Sequence, residues 1–218
     1  MSVPYIPPEI LAFILLVGWF SAAYVLGSIP ESWLLAKWVT GQDLRRMGSG
    51  NVGVMNTALS VGRWAGLLVF LVEIAKGFLA VSIPRHLGAG EPVVSLAVVG
   101  VVTGARWPIW LGFKGGRGNT TGMAAFLLIS YPAPVIALAF WILARLLLHS
   151  SFKATRLTLL SLPLIFGMVT RSWWFVLAGL ALSLIYLTAQ QPQSDDHLMI
   201  KRRWGSFWDF LTSPPRRS

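Results

Sequence analysis

The sequence predicts an all-α protein, a polytopic membrane bundle of about seven transmembrane helices with one short interfacial helix. Hydrophobic residues make up 55% of the 218-residue chain and charged residues only 12%. The mean hydropathy is +0.66, well above that of a soluble domain. The apolar residues fall in long runs, and the basic residues collect in alternate segments between the runs. These observations indicate one bundle that spans a bilayer.

The apolar runs give the predicted spans, which are residues 9–27, 60–83, 92–106, 119–131, 133–148, 157–170 and 173–190. Residues 30–40 are amphipathic and too short to cross, which favours an interfacial helix. We expect the transmembrane bundle to occupy residues 1–190. Polar loops interrupt it at 41–59 and 106–118, and a C-terminal tail covers residues 191–218.

The distribution of basic residues orients the bundle. If the N-terminus is outside, then of the basic residues between the spans only Arg85 and Arg171 lie outside, and Lys76 lies within a span. This is a strong positive-inside pattern, and it places both polar loops and the C-terminus in the cytosol. The first apolar run has no basic residue before it and no convincing cleavage site after it. It is therefore expected to be a membrane helix rather than a cleaved signal.

The composition also excludes several function classes. The chain has no cysteine, so disulfides and thiol catalysis are excluded. His86, His149 and His197 have no metal-ligand spacing, and we expect neither a metal site nor another cofactor. The formal charge of +10 fits membrane topology and anionic lipid. Nucleic acid is not an expected partner, because no soluble basic domain is present.

Two glycine-rich segments hold the residues that indicate chemistry. In glycine loop 2 (residues 112–118), Lys114 and Arg117 alternate with three glycines, and a predicted helix follows at once. Small residues, cations and a free helix N-terminus favour a phosphate, and Thr120 or Thr121 could cap the helix or donate to a ligand. The alternative is a plain loop whose basic residues only set topology.

Glycine loop 1 (residues 48–53) lies between two other apolar segments. It offers Ser49 and Asn51, with Arg45 before it and Asn56 after it. A simple turn would not need so many glycine and polar residues, so we predict that this loop contacts a ligand. The alternative is a flexible turn with arginines at the membrane surface.

Ionisable residues occur in two further places. Glu73 and Lys76 are three residues apart within a span, so they share a helix face and are expected to pair. The pair is either a structural ion pair or the floor of an active site. The tail is acidic and then basic and aromatic over residues 194–204. It is either an amphipathic segment at the membrane surface or a third contributor to the site, through His197.

Taken together, these segments resemble the bacterial acyl-phosphate-dependent glycerol-3-phosphate acyltransferases, and the resemblance covers most of the chain. It is strongest at Gly112-Phe113-Lys114-Gly115-Gly116-Arg117-Gly118. Glycine loop 1 and the preceding Asp43-Leu44-Arg45 also match. Further matches are Gly27-Ser28-Ile29-Pro30, Asn56, Ala65-Gly66-Leu67-Leu68 and Lys76-Gly77. Each fragment is weak alone, but their order and spacing are specific.

The resemblance implies a seven-helix bundle in a bacterial inner membrane, with a cytosolic site that moves an acyl group from acyl phosphate to glycerol 3-phosphate. The products would be lysophosphatidic acid and phosphate, and contact with other phospholipid-synthesis enzymes is left open. It implies catalytic roles for Ser49, Lys114 and His197. The implied phosphate-binding residues are Arg45, Gly48, Gly50, Asn51, Asn56, Gly115, Gly116, Arg117, Gly118, Thr120 and Thr121.

The chain departs from the family pattern at several polar positions. Leu59 stands where the family has an arginine, and Ala105 where it has a histidine. His197, Ile200 and Arg202 can be laid on the family's tail pattern, His-x-x-Asn-Ile-x-Arg, but its asparagine is missing. An alternative is therefore a degenerate relative that binds acyl phosphate, lipid or a membrane partner without turnover. A small transporter fits less well, because no repeat symmetry is visible.

Overall fold

The computed structural model describes residues 7–189 and 196–213, and every regular element in these ranges is helical. This confirms the predicted all-α membrane bundle, while the number of spans and the orientation of the termini stay predictions. In chain order the α-helices are α1 (Pro8–Ser28), α2 (Glu31–Thr40), α3 (Val54–Ser60), α4 (Arg63–His86), α5 (Glu91–Arg106), α6 (Asn119–Ile129), α7 (Pro132–Leu148), α8 (Ser151–Thr170), α9 (Trp173–Ala189), α10 (Asp196–Arg203) and α11 (Phe207–Thr212). Two short 3-10 turns lie at Leu44–Arg46 and Ile109–Leu111.

Seven of these helices correspond to the predicted spans. Four stretches are long and apolar enough to cross a membrane, namely Pro8–Thr40, Arg63–His86, Glu91–Leu111 and Phe152–Thr170. The apolar helices α6, α7 and α9 are shorter. Two helix starts differ from the prediction by three residues or more, because the span expected from residue 60 begins at Arg63 and the span expected from residue 157 begins at Ser151. Gly62 has a φ of +145°, which glycine adopts readily, and it separates α3 from α4.

The outer surface of the bundle is strongly apolar. Phe13, Leu164 and Met168 are each about two thirds exposed, at 66%, 69% and 69%. Apolar exposure on this scale would be unfavourable in water, whereas lipid tails solvate it without cost. The surface therefore fits a protein that is embedded in a bilayer.

The central helix of the bundle is α5, which packs against α1, α4, α6 and α9. Small residues bring α1 and α5 into backbone contact. A Cβ atom on Gly27 would lie 2.0 Å from the carbonyl oxygen of Val101, and one on Gly104 would lie 2.1 Å from that of Tyr24. Close contact of this kind, through small residues, is how helices associate in lipid. It fixes the end of α5 from which glycine loop 2 continues.

Three segments meet at one end of the bundle. Glycine loop 1 leads through α3 into α4, and glycine loop 2 leads into α6, which packs beside α4. The tail packs against α3 through an apolar cluster, the tail cluster, made of Leu59, Ile200, Trp204 and Phe210. The predicted division between a bundle and a tail at residue 190 falls in the segment 190–195, which lies outside the described residues.

Candidate active site

The two glycine loops form one continuous surface. The backbone of Gly116 lies against the carbonyl group of Val52, so closely that a Cβ atom on residue 116 would be 2.0 Å from the carbonyl oxygen. The N–H of Gly116 donates to the carbonyl oxygen of Ala105 at 3.1 Å, which holds the loop in this place. Only a residue without a side chain allows this approach, so the glycine pattern brings the two loops together.

A polar cavity of about 130 Å³ opens where the loops meet. Its wall combines glycine loop 1 and the start of α3 with the end of glycine loop 2 and the N-terminus of α6. Glu73 of α4 and Asp196 of α10 complete it. The lining residues are Asn51, Val52, Gly53, Val54, Met55, Glu73, Arg117, Gly118, Asn119, Thr120 and Asp196. The cavity is therefore the place where the three converging segments meet.

Asn56 holds glycine loop 1 in shape from behind the cavity wall. Its amide nitrogen donates to the carbonyl oxygens of Leu44, Met47 and Asn51 at 3.3, 3.0 and 2.8 Å. Its amide oxygen accepts from the backbone N–H of Ser49 at 3.0 Å. The side chain has no exposed surface, so nothing in the structure supports the predicted phosphate contact of Asn56. It positions the loop instead.

Arg45 connects the two loops rather than facing the cavity. Its guanidinium pairs with the carboxylate of Asp43 at 2.6 Å and donates to the carbonyl oxygen of Leu111 at 3.3 Å. Asp43 also accepts from the indole N–H of Trp33 at 3.0 Å. The Arg45 guanidinium holds the pKa of the Asp43 carboxyl well below its usual range, against a smaller opposing effect of burial. The guanidinium predicted to bind phosphate is therefore already engaged.

The tail contributes Asp196 to the cavity. The hydroxyl of Ser49 donates to one carboxylate oxygen of Asp196, and Arg117 Nη1 lies 3.9 Å from the other. Sequence reasoning placed His197 here, and the side chain of His197 lies outside the described part of the structure. The role expected of His197 stays a prediction, and Asp196, one residue before it, is a cavity residue that sequence reasoning missed.

A cluster of buried ionisable groups lies beneath the cavity. Lys76 Nζ lies 3.4 Å from Glu73 Oε1, which agrees with the predicted pairing, and 2.8 Å from Glu31 Oε2. The same ammonium donates to the carbonyl oxygen of Ile29 at 3.1 Å. Glu31 was not anticipated, because it belongs to α2, and nothing in the sequence indicates that α2 packs against α4.

The remaining predicted residues have different positions. Asn51, Arg117, Gly118 and Thr120 line the cavity, and their predicted contact with a phosphate stays a prediction. Thr121 is fully buried, and its hydroxyl finds no partner among the described residues, so nothing in the structure supports its predicted phosphate contact. The glycines without a lining role shape the backbone: Gly48 and Gly50 have positive φ, and Gly115 packs against Pro108.

Lys114 is exposed in glycine loop 2 and is not part of the cavity wall.

Two other basic side chains, those of Arg106 and Arg63, have structural contacts. Arg106 donates to the carbonyl oxygens of Gly116 and Thr188, at 3.4 and 3.0 Å, and it lies close enough to Arg117 for their charges to repel. Arg63 donates to the carbonyl oxygen of Ser213 and lies 5.7 Å from the ring centre of Phe210. Arg63 therefore holds the tail rather than a ligand.

Comparison with known proteins agrees with the resemblance predicted from sequence. A profile of the family described as "Glycerol-3-phosphate acyltransferase" matches residues 17–194. A glycerol-3-phosphate acyltransferase of Prochlorococcus marinus (strain MIT 9215) is 32% identical over 169 residues, which cover 76% of this chain and 86% of that protein. Glycerol-3-phosphate acyltransferase 1 of Dehalococcoides mccartyi is 41% identical over 155 residues, 68% of this chain and 72% of that protein.

A solved structure has a similar fold. It is the glycerol 3-phosphate form of PlsY (YgiH), an integral membrane glycerol 3-phosphate acyltransferase. The sequence identity is 26% and the TM-score 0.68, and the similarity covers 85% of this chain and 92% of that one. The similarity confirms that the predicted membrane bundle is the fold of known membrane acyltransferases.

The contacts of Asn56 predict that Asn56→Asp strongly lowers the stability of the protein. The variant keeps the shape but places a buried carboxylate against three carbonyl oxygens, so we expect the free energy of unfolding to fall by about 3 kcal/mol or more. Denaturation of the detergent-solubilised protein measures this. Gln42→Glu, the same exchange at an exposed site nearby, should change stability by less than about 0.5 kcal/mol. Equal effects would contradict the positioning role of Asn56.

The tail cluster gives an expectation for Leu59, the position where the family has an arginine. Leu59 is buried against Ile200, Trp204 and Phe210, so Leu59→Arg would bury a charge there and release the tail. We expect trypsin to cleave at Lys201–Arg203 faster in this variant than in the parent protein. Leu59→Met, which keeps an apolar side chain, should leave the cleavage rate unchanged. Unchanged cleavage in Leu59→Arg would show that the cluster does not hold the tail.

Proposed function

Because the chain belongs to the glycerol-3-phosphate acyltransferase family, we propose that it transfers an acyl group from an acyl phosphate to glycerol 3-phosphate. The products would be 1-acyl-glycerol 3-phosphate (lysophosphatidic acid) and inorganic phosphate, as in the first step of phospholipid synthesis. One observation carries this proposal: two glycine loops enclose a polar cavity that continues into an apolar groove. A phosphate and an acyl chain need these two environments side by side.

The polar end of the cavity supports the phosphate part of the proposal. Arg117 lines it, and the N-terminus of α6 faces it through Gly118, Asn119 and Thr120. The first N–H groups of a helix have no partner within the helix and favour an anion. Ser49 and Arg117 already interact with a carboxylate, that of Asp196. A substrate phosphate would take over these contacts and displace Asp196.

An apolar groove supports an acyl phosphate as the donor. The groove runs between α4 and α6, has a volume of about 460 Å³, and is lined mainly by Phe70, Ile74, Phe78, Met123, Ala124, Leu127 and Leu128. Asn119 and Thr120 line both the groove and the cavity. Phe78 and Leu127 are each half exposed on the lipid-facing surface. A chain that enters from the bilayer would therefore have its headgroup in the cavity.

The proposed reaction needs no metal and no covalent intermediate. The C1 hydroxyl of glycerol 3-phosphate attacks the acyl carbon, an ester C–O bond forms, and the bond from the acyl carbon to the phosphate oxygen breaks. The hydroxyl proton leaves on the departing phosphate. Acyl phosphate is an activated mixed anhydride, so positioning and donors that stabilise the leaving phosphate would supply most of the catalysis. Arg117 and the N-terminus of α6 are the donors with this place in the cavity.

The charge distribution supports a cytosolic site in a bacterial inner membrane. The glycine loops and the tail belong to the basic segments that the positive-inside rule assigns to the cytosol. Glycerol 3-phosphate would then reach the cavity from the cytosol, and the donor and product would exchange with the bilayer. The same proposal includes direct contact with other enzymes of phospholipid synthesis, because those enzymes would supply the substrates of this reaction or consume its product.

A second candidate function is binding without turnover, and one observation favours it. The carboxylate of Asp196 contacts Ser49 and Arg117, two groups that a substrate phosphate would need as donors. An additional negative charge in this cavity opposes the binding of two phosphorylated substrates. A degenerate relative could retain acyl phosphate or lipid in the groove with the acceptor site blocked.

The activity test is phosphate release from palmitoyl phosphate by the purified protein, with and without glycerol 3-phosphate. We expect release that depends on the acceptor and is matched by lysophosphatidic acid. Folded protein that releases no phosphate but retains palmitoyl phosphate would favour the binding function. Release that does not depend on the acceptor would identify a hydrolase and contradict the proposal.

Lys114 provides a specific variant. We propose that this exposed cation near the loop junction attracts and binds a substrate phosphate. Because a charged hydrogen bond contributes about 1.5–3 kcal/mol, Lys114→Ala should lower kcat/KM at least about tenfold while the unfolding temperature stays unchanged. Lys153→Ala removes an exposed lysine at the start of α8 and should leave kcat/KM unchanged. Normal turnover in Lys114→Ala would remove Lys114 from the site.

A further inference from the structure

The buried cluster below the cavity holds two carboxylates and one ammonium. Lys76 serves two carboxylates, Glu31 at 2.8 Å and Glu73 at 3.4 Å. All three groups are largely buried, with Lys76 4% and Glu73 8% exposed. Ionisable groups at membrane depth are costly, and those that remain usually pair or serve a function. One ammonium balances one carboxylate, which leaves the second without a charge partner of its own.

The position of Glu73 distinguishes it from Glu31. Glu73 lines the polar cavity together with Arg117 and the N-terminus of α6. Glu31 instead borders an apolar depression formed with Leu34 and Leu68. Glu31 forms the shorter of the two ion pairs, so it is the closer structural partner of Lys76. Glu73 is the carboxylate that a small polar molecule in the cavity would meet.

One oxygen of Glu73 has no donor among the described residues. Lys76 contacts Oε1, whereas Oε2 is buried without a hydrogen-bond partner within residues 7–189 and 196–213, as is Oε1 of Glu31, which does not line the cavity. A buried carboxylate oxygen without a donor is unfavourable, and a hydroxyl in the cavity would satisfy it. A phosphate would not, because two anions repel. The phosphate end of a ligand is thereby directed to Arg117, and its hydroxyl end to Glu73.

We propose that Glu73 determines acceptor specificity, and that its Oε2 accepts a hydrogen bond from the C2 hydroxyl of glycerol 3-phosphate. The inference rests on the proposed function. The C1 hydroxyl must face the acyl carbon at the head of the groove, near Asn119 and Thr120. With the phosphate at Arg117, the C2 hydroxyl is the group left to contact the floor of the cavity. The Glu73 contact selects the three-carbon acceptor and does not take part in bond making.

The test compares two acceptors that differ in this hydroxyl alone. Glycerol 3-phosphate has the C2 hydroxyl, and propane-1,3-diol monophosphate lacks it. We expect the parent protein to prefer glycerol 3-phosphate at least about tenfold in kcat/KM. Glu73→Leu should lower kcat/KM for glycerol 3-phosphate at least about tenfold and leave the value for the analogue within about threefold, so the preference is lost.

Glu31→Leu is the matched control. In Glu73→Leu the ammonium of Lys76 keeps Glu31, and in Glu31→Leu it keeps Glu73, so each variant leaves one ion pair and the contact with Ile29. Glu31→Leu should retain the preference for glycerol 3-phosphate. If Glu73→Leu does not yield folded protein, Glu73→Gln should reduce the preference without abolishing it, because the amide oxygen still accepts. Equal losses for both acceptors, or no change in the Glu73 variants, would overturn the inference.

A binding measurement separates this inference from the proposed function. If the parent protein transfers no acyl group to either acceptor, the proposed function fails and the specificity of the cavity is still measurable. Glycerol 3-phosphate should then raise the unfolding temperature of the parent protein more than propane-1,3-diol monophosphate does. Glu73→Leu should remove that difference. An equal shift by both compounds in the parent protein would overturn the role of Glu73.

Discussion

The close approach of Gly116 to the carbonyl group of Val52 is the contact on which the candidate site depends. It joins two segments that are far apart in sequence, and a single added carbon at residue 116 would prevent it. Because the loops touch here, Arg117 and the N-terminus of α6 face Asn51 across one cavity. The helix packing beneath the loops has the same basis, since Gly27 and Gly104 bring α1 and α5 into backbone contact.

Two polar networks order the segments around the cavity. In the first network, the amide of Asn56 donates to the carbonyl groups of Leu44, Met47 and Asn51, in glycine loop 1 and the segment before it. These bonds give the irregular loop a defined shape. In the second network, Lys76 pairs with Glu73 and Glu31 within the apolar interior. The shape of the cavity is thus set by contacts within the fold itself.

The fold was predictable because membrane helices can be recognised in a sequence by their length and hydropathy. The glycines of both loops also indicated which segments line the cavity. The contacts across the site were not predictable. Periodicity within α4 paired Glu73 with Lys76, but it could not place Glu31 of a separate helix beside them. Asn56 is a residue type that often binds ligands, but here it is buried like a core residue. Asp196 was not predicted as a contributor from the tail, because sequence reasoning singled out the neighbouring His197, whose role stays a prediction.

The most direct test of this account is an experimental structure of the protein with glycerol 3-phosphate bound. The phosphate should lie in the cavity between Arg117, Ser49 and the N-terminus of α6, with the carboxylate of Asp196 displaced and the C2 hydroxyl at Glu73. A phosphate bound outside the cavity, for example at Lys114 alone, with Asp196 still on Ser49, would contradict the account. In that case the contact between the two glycine loops would be structural rather than the basis of the site.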